Sequence, residues 1–245
     1  MIFVGAGTAI NVVAILVGAS IGIFAGHKLN SKTRDLVTDV LGLVTVLGAA
    51  SALTLLWSHS YVDALPQGWA LLVILISLLL GGAIGSFLRL EDRLDALGEN
   101  LRKKFRAESG STFVEGFVSA SLLFAIGPLA ILGSISDGMS QGIDQLLLKS
   151  SLDFFAAMAF ASTLGWGVAV SALPVGIYQG LWTVVGLLLG SVMPDYQIAA
   201  MTVVGGLMLV GIAMRLLKFK SVAVGNLLPA LVFAPLIAAL AHSFH

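Results

Sequence analysis

The chain has 245 residues, of which 58% are hydrophobic and 11% are charged, and its formal net charge is zero. Soluble domains carry about 25% charged residues, so this composition indicates a protein whose solvent is lipid. Zero net charge gives no electrostatic case for nucleic acid as a partner. The absence of cysteine excludes disulfides and thiolate catalysis.

The chain contains long apolar stretches that match the length of membrane spans. About 20 apolar residues cross the hydrocarbon core as a helix, and the N-terminal stretch lacks the preceding positive charge of a signal peptide. None of the stretches alternates at period two, so we predict an all-α, polytopic transmembrane bundle that forms a single integral membrane domain over 1–245. About eight spans are expected, at 3–26, 36–57, 68–88, 113–136, 151–173, 177–193, 198–216 and 226–243.

The distribution of Lys and Arg predicts the orientation of these spans. With eight spans and the N-terminus outside, 12 of the 13 basic residues fall on one side and Lys149 falls on the other. The positive-inside rule then places both termini outside. A rival topology makes 116–145 a re-entrant hairpin, which gives seven spans and weakens the split to 10 against 3.

An amphipathic helix is expected between the third and fourth spans, at about 90–108. Its leucines recur at spacings of three and four, and charged residues surround them. We interpret this segment as a helix on the cytoplasmic membrane interface, with docking of a partner protein as the alternative.

Glycines four residues apart recur in several spans. Gly18 and Gly22 match Gly81 and Gly85 in a short echo, and "GLLLG" (186–190) has the same step. Such stripes let helices approach closely, within the chain or in a homo-oligomer. Together with a second echo, between 42–48 and 205–211, they suggest an inverted repeat that relates spans 1–3 to spans 6–8.

The fourth span contains a predicted helix break. Pro128 has no amide hydrogen and follows Gly127, so the helical hydrogen bonding is interrupted at membrane depth. A packing kink would explain this feature, but Ser134, Ser136 and Asp137 lie in the same span. Broken helices with free backbone groups also form solute and ion sites in transporters.

The fifth span opens with "KSSLD", which carries two charges one helical turn apart. "SSLD" fits a capping box with Ser150 as N-cap and Asp153 in the first turn. Lys149 is unexplained by such a cap, because a cation is unfavourable at a helix N-terminus. It could pair with Asp137 or Asp144, or attract an anionic group.

Further polar residues accompany the later spans. Pro174 and Gly176 predict a tight connection before the sixth span, which Gln179 enters. Asn226 is interpreted as the N-cap of the eighth span, before Pro229. Asn11 lies well inside the first span and is a candidate for an interior hydrogen bond.

Enzyme motifs are missing from the chain. "GSISDG" departs from the Gly-x-Ser-x-Gly pattern, and there is no HExxH or Walker sequence. We therefore expect neither enzymatic activity nor a cofactor, and the sequence identifies no metal.

Several segments resemble the domain-of-unknown-function 554 family of bacterial polytopic inner-membrane proteins. They are "GTAIN" (7–11), 117–139, 149–180, "VGGLMLVG" (204–211) and "VGNLLPAL" (224–231). The resemblance covers nearly the whole chain and implies a multi-pass protein of the bacterial inner membrane. It supplies no biochemical activity, although some members carry ion-channel or pump labels. Phe154 and the position of Asp144 depart from the family pattern.

The leading functional hypothesis is a secondary transporter or channel-like carrier of a small solute or ion. Its expected site combines the broken fourth span with the charged start of the fifth. The candidate residues are Asn11, Gly127, Pro128, Ser134, Ser136, Asp137, Lys149, Asp153, Gln179 and Asn226. The alternative is a non-transporting scaffold or accessory subunit of the membrane.

Overall fold

The described residues of the computed structural model are mostly helical and contain no strand. They comprise 3–26, 30–104, 112–125, 128–189 and 193–244, with Arg34 and Pro128 described by their backbone only. The α-helices are α1 (Ala6–Gly26), α2 (Ser31–Leu53), α3 (His59–Val62), α4 (Trp69–Phe87), α5 (Leu90–Lys104), α6 (Phe113–Ala125), α7 (Pro128–Gly138), α8 (Asp144–Leu164), α9 (Trp166–Val170), α10 (Ala172–Leu189), α11 (Asp195–Leu216) and α12 (Ala230–His242). Short 3-10 helices cover Thr54–Trp57 and Val224–Leu227.

Seven stretches of the described helices are long and apolar enough to cross a membrane. They are Ala6–Gly26, Ser31–Trp57, Trp69–Phe87, Asp144–Leu164, Trp166–Leu188, Asp195–Leu216 and Val224–His242. The remaining predicted span corresponds to α6 and α7, which meet at an angle of 62°. The predicted all-α polytopic bundle is therefore confirmed.

The bent pair α6–α7 extends along the whole length of α8. In α6, Gly116 packs against Leu164, the last residue of α8, whereas in α7 Gly133 packs against Leu146, near its first residue. Leu146 and Leu164 are about 27 Å apart along the axis, since a helix rises about 1.5 Å per residue. The start of α6 and the middle of α7 therefore lie near opposite ends of α8.

The helices pack into two compact units. Unit 1 comprises Met1–Leu41 and Asp95–Val192, and unit 2 comprises Gly42–Leu94 and Met193–His245. Two of the three boundaries between them fall inside α2 and α5.

In unit 1, α1 and α8 lie against each other in the same direction. Successive glycines of α1 meet successive carbonyl oxygens of α8, so that Gly18 meets Phe154, Gly22 meets Met158 and Gly26 meets Ser162. A Cβ atom at any of these glycines would overlap the facing backbone, which is why the sequence has glycine there. Helix α10 runs against α1 in the opposite direction: Gly176 faces Val12, and Thr183 faces Thr8.

In unit 2, α4 and α12 run antiparallel. Gly81 faces Ala230, and Gly85 faces the backbone of Asn226. At the other end of the pair, the rings of Trp69 and Phe244 lie 5.9 Å apart. These contacts confirm that the repeated glycines serve helix packing within the chain. The predicted inverted repeat and the homo-oligomer stay predictions.

The predicted boundary between the fifth and sixth spans is wrong. The chain turns at Gly165, whose φ of 72° lies in the left-handed region that glycine tolerates. Pro174 lies in the first turn of α10 instead, where its missing N–H is tolerated. It leaves the carbonyl of Val170 without a helical donor, and α9 ends at that residue.

The predicted amphipathic segment contains α5, which covers Leu90–Lys104. Its first turn carries Glu91 and Asp92, and its last turn carries three basic residues, as the helix dipole favours. Residues 105–108 of the predicted helix lie outside the described residues, and its position on the cytoplasmic interface stays a prediction.

Candidate functional site

Lys149 and Asp153 lie inside α8 rather than at its start. The helix begins at Asp144, after Gly142 with a φ of 128°. Ser150 is therefore not an N-cap, and its hydroxyl donates to the carbonyl oxygen of Leu146 at 2.6 Å. The predicted capping box is wrong, because the helix extends about a turn and a half upstream of it. Both charges consequently lie in the body of a membrane-length helix.

Asp153 accepts two hydrogen bonds on one carboxylate oxygen. Its Oδ2 receives Lys149 Nζ at 2.7 Å and Asn11 Nδ2 at 3.0 Å. Lys149 and Asp153 are each 6% exposed, and Asn11 is fully buried. The contact between α1 and α8 thus positions three polar side chains in the interior of unit 1.

Gln179 lies at the same level of unit 1 as Asn11. On α10 it is placed between Gly176 and Thr183, which face Val12 and Thr8 of α1. These two α1 residues flank Asn11 in the sequence, so Gln179 is opposite the Asn11 turn. Gln179 is fully buried, and neither of its amide atoms has a hydrogen-bond partner among the described residues.

Asp137 does not pair with Lys149. Its two carboxylate oxygens accept hydrogen bonds from the backbone amides of Gly5, at 3.1 Å, and Gly7, at 3.0 Å. The carboxylate therefore caps the N-terminus of α1 from a distant part of the chain. Asp144, the other acidic residue considered for Lys149, is the first residue of α8.

Ser134 and Ser136 of the fourth span have local hydrogen-bond partners. Ser134 is fully buried and donates to the carbonyl oxygen of Ala130, and Ser136 contacts the carbonyl oxygen of Gly142 at 3.3 Å. Pro128 begins α7 at the bend. Gly127 lies outside the described residues.

Asn226 belongs to unit 2 and does not cap the last span. It lies in the 3-10 helix Val224–Leu227, and its Oδ1 accepts the backbone N–H of Glu91 at 2.9 Å. Its side chain thus satisfies an amide in the first turn of α5, and the predicted N-cap is wrong. The reason is that α12 begins only at Ala230, after Pro229.

A largely buried ion pair in unit 2 was missed by sequence reasoning. Glu91 Oε1 pairs with the guanidinium of Arg215, while Glu91 Oε2 accepts the backbone N–H of Gly225 at 2.6 Å. The same Arg215 nitrogen donates to the carbonyl oxygen of Val222 at 2.9 Å. A sequence separation of 124 residues leaves no local pattern for this pair. The acidic first turn of α5 was its one visible sign.

The described part of the chain contains no group of three or more His, Asp or Glu side chains placed to hold a metal ion. The group around Asp153 instead offers one ammonium, one carboxylate and the carboxamide of Asn11, with the carboxamide of Gln179 at the same level of unit 1. Such a set can bind by charge and by hydrogen bonds in both directions.

The family of the chain follows from comparisons with known proteins. A model described as "Protein of unknown function (DUF554)" matches residues 6–239. The chain is 29% identical over 238 residues to "Uncharacterized membrane protein YdfK" of Bacillus subtilis (strain 168), covering 97% of each chain. It is 31% identical over 238 residues to "Uncharacterized protein YqgA" of Escherichia coli (strain K12), covering 95% of this chain and 96% of the relative. No solved structure matches. The chain belongs to the DUF554 family.

Proposed function

We propose that this protein is a secondary transporter or channel-like carrier of a small solute or ion, with its site around Asp153 in unit 1. The observation that carries the proposal is the buried group Lys149–Asp153–Asn11 at membrane depth. Asp153 lies about 13 Å along α8 from Asp144, and the hydrocarbon core is about 30 Å thick. Its carboxylate is therefore near the middle of the span.

The cost of this arrangement supports a functional role. Ionisable side chains within spans are expensive and usually mark solute, ion or proton pathways. A buried ion pair is often no more stable than apolar residues of similar volume, so packing alone gives no reason for it. Asn11 adds a third polar group to the same carboxylate oxygen.

Helix directions support a topology with eight crossings and both termini outside. Two parallel spans must be separated in sequence by an odd number of crossings, and α1 and α8 are parallel. Between them lie α2, α4 and the pair α6–α7, and the number of crossings is odd only if this pair makes one crossing. Two antiparallel spans must be separated by an even number of crossings. Between the antiparallel helices α4 and α12 lie four crossings, made by α6–α7, α8, α9–α10 and α11. The positive-inside rule then favours the orientation in which Lys149 approaches its site from the outer side.

The proposed setting is the bacterial inner membrane, and the proposed activity is transport rather than catalysis. Pro128 and the 62° bend of the fourth span support this activity, since broken helices free backbone groups beside a passage.

Flux measurements test the proposal. Proteoliposomes that contain the purified protein are incubated with a panel of labelled ions and small polar solutes, and their uptake is compared with that of empty liposomes. Asp153→Asn should abolish or strongly reduce the uptake of at least one compound. Asp92→Asn, an exposed carboxylate on α5, should leave it unchanged. Uptake equal to that of empty liposomes across the panel would refute the proposal.

A further inference from the structure

We infer that the site around Asp153 takes a small zwitterionic solute, with one ammonium group, one carboxylate group and no net charge. The inference rests on the proposed transport function and names its substrate class. The interior of unit 1 contains buried hydrogen-bond donors and acceptors without a partner among the described residues.

Two buried carboxamides are incompletely paired. Asn11 Nδ2 donates to Asp153, but Asn11 Oδ1 is buried and has no partner among the described residues. Gln179 Oε1 and Nε2 are both buried and unpartnered within that same part of the chain. Buried polar groups in native proteins are nearly always hydrogen-bonded, so we expect these atoms to bind a partner other than the described side chains.

The ion pair also has hydrogen-bond donors and acceptors without a partner. An ammonium has three donors, and Lys149 uses one of them on Asp153. Asp153 accepts both of its hydrogen bonds on Oδ2, and its Oδ1 makes none with the described residues. The site therefore combines free donors on Lys149 and Gln179 with free acceptors on Asp153, Asn11 and Gln179.

The net charge around Asp153 restricts the class of ligand. Lys149 and Asp153 sum to zero, and the other buried charge in the described part of unit 1, the Asp137 carboxylate, is held by the backbone amides at the start of α1. Any net charge that a ligand brought to Lys149 and Asp153 would therefore be uncompensated in a medium where desolvation is costly. An inorganic cation would use only the acceptors and would lie beside the ammonium of Lys149. An inorganic anion would use only the donors and would lie beside the carboxylate of Asp153.

A zwitterion satisfies both sets at once. Its carboxylate can accept from Lys149 Nζ and Gln179 Nε2, and its ammonium can donate to Asp153 Oδ1 and Asn11 Oδ1. Charge-assisted hydrogen bonds of this kind are about twice as strong as neutral ones. A free amino acid has this chemistry in its smallest form.

Thermal unfolding of the purified full chain in detergent tests the inference. Each proteinogenic amino acid is added at millimolar concentration, beside probes that carry part of its chemistry: ethanolamine, propionate, propionamide, sodium chloride and potassium chloride. At least one amino acid should raise the unfolding temperature, because a ligand that binds the folded state stabilises it. The partial probes should not do so at the same concentration.

A substitution at Gln179 distinguishes a ligand-binding amide from a structural one. Gln179→Leu should weaken the affinity for that amino acid about tenfold, as expected for lost hydrogen bonds. It should not lower the unfolding temperature of the ligand-free protein, because it removes buried unpaired atoms. The matched control is Gln197→Leu on α11, which should leave the affinity unchanged.

Stabilisation by salts alone, or by none of the compounds, would overturn the inference, as would unchanged affinity in Gln179→Leu. Absence of binding combined with a more stable Gln179→Leu variant would assign the unpaired amides to water. Flux of an inorganic ion without amino acid uptake would leave the transport proposal standing and remove the zwitterion. Absence of any flux would remove both.

Discussion

Replacement of Lys149 by methionine should lower the free energy of unfolding more than replacement of both members of its ion pair. Lys149→Met leaves the Asp153 carboxylate buried with Asn11 Nδ2 as its remaining described donor. Removing one partner of a buried ion pair costs about 3–5 kcal/mol, since the other charge is left without compensation. The double variant Lys149→Met/Asp153→Leu removes both charges and should lie within about 1 kcal/mol of the wild type.

The assay is equilibrium unfolding in detergent, followed by circular dichroism, for both single variants and the double variant. Lys103→Met on α5 is the matched control, because this exposed lysine should change stability by no more than about 0.5 kcal/mol. If the double variant is as unstable as Lys149→Met, the loss comes from packing, and the reasoning about uncompensated charge is refuted.

Three further predictions concern other parts of the fold. Gly22→Ala should lower the unfolding temperature because the new Cβ would overlap the α8 backbone. Gly48→Ala, where the space around the glycine is open, should leave the unfolding temperature unchanged or raise it. Equal effects of the two substitutions would contradict the close packing of α1 on α8. Glu91→Gln should cost about 2 kcal/mol in thermal unfolding through weakened charge-assisted hydrogen bonds, and Asp92→Asn should cost little; equal losses would argue against the buried pair. Burial raises the pKa of Tyr61 above its ordinary value of 10.0, so the unfolded state loses the phenol proton first and the free energy of unfolding should fall as pH rises above that value. Tyr61→Phe should reduce this dependence of stability on alkaline pH. An unchanged dependence would assign the effect to other groups.

The membrane character and the helical class were predictable because span length and composition are set by the bilayer itself. The helix break at Pro128 was predictable for a similar reason, since a residue without an amide hydrogen must interrupt the hydrogen bonding wherever it lies within a span. The boundary at Gly165 was not predictable from apolar content. It depends on a left-handed backbone conformation, and the apolar residues on both sides of Gly165 gave no sign of a turn.

The site was only partly predictable for a different reason. Asn11 and Gln179 stand out in the sequence as polar residues within apolar spans, but their neighbours depend on which helices pack together. The hydrogen bonds of Asp137 and Asn226 could not be predicted from their positions in the sequence. Both accept from backbone amides more than 100 residues away, Asp137 at the start of α1 and Asn226 at the start of α5.

The position of the helix start decides how the Lys149–Asp153 pair is interpreted. If α8 began at Ser150, Asp153 would be a cap and Lys149 could extend its ammonium into the interface, as lysines near helix ends do. Because α8 begins at Asp144, the ammonium is directed along the helix to Asp153, one turn deeper into the span, and is buried there. A lysine in this position forgoes hydration that it could regain by pointing the other way. Helix capping offers it no compensation, and apolar residues of similar volume would be about as stable, which agrees with the binding role proposed for the pair.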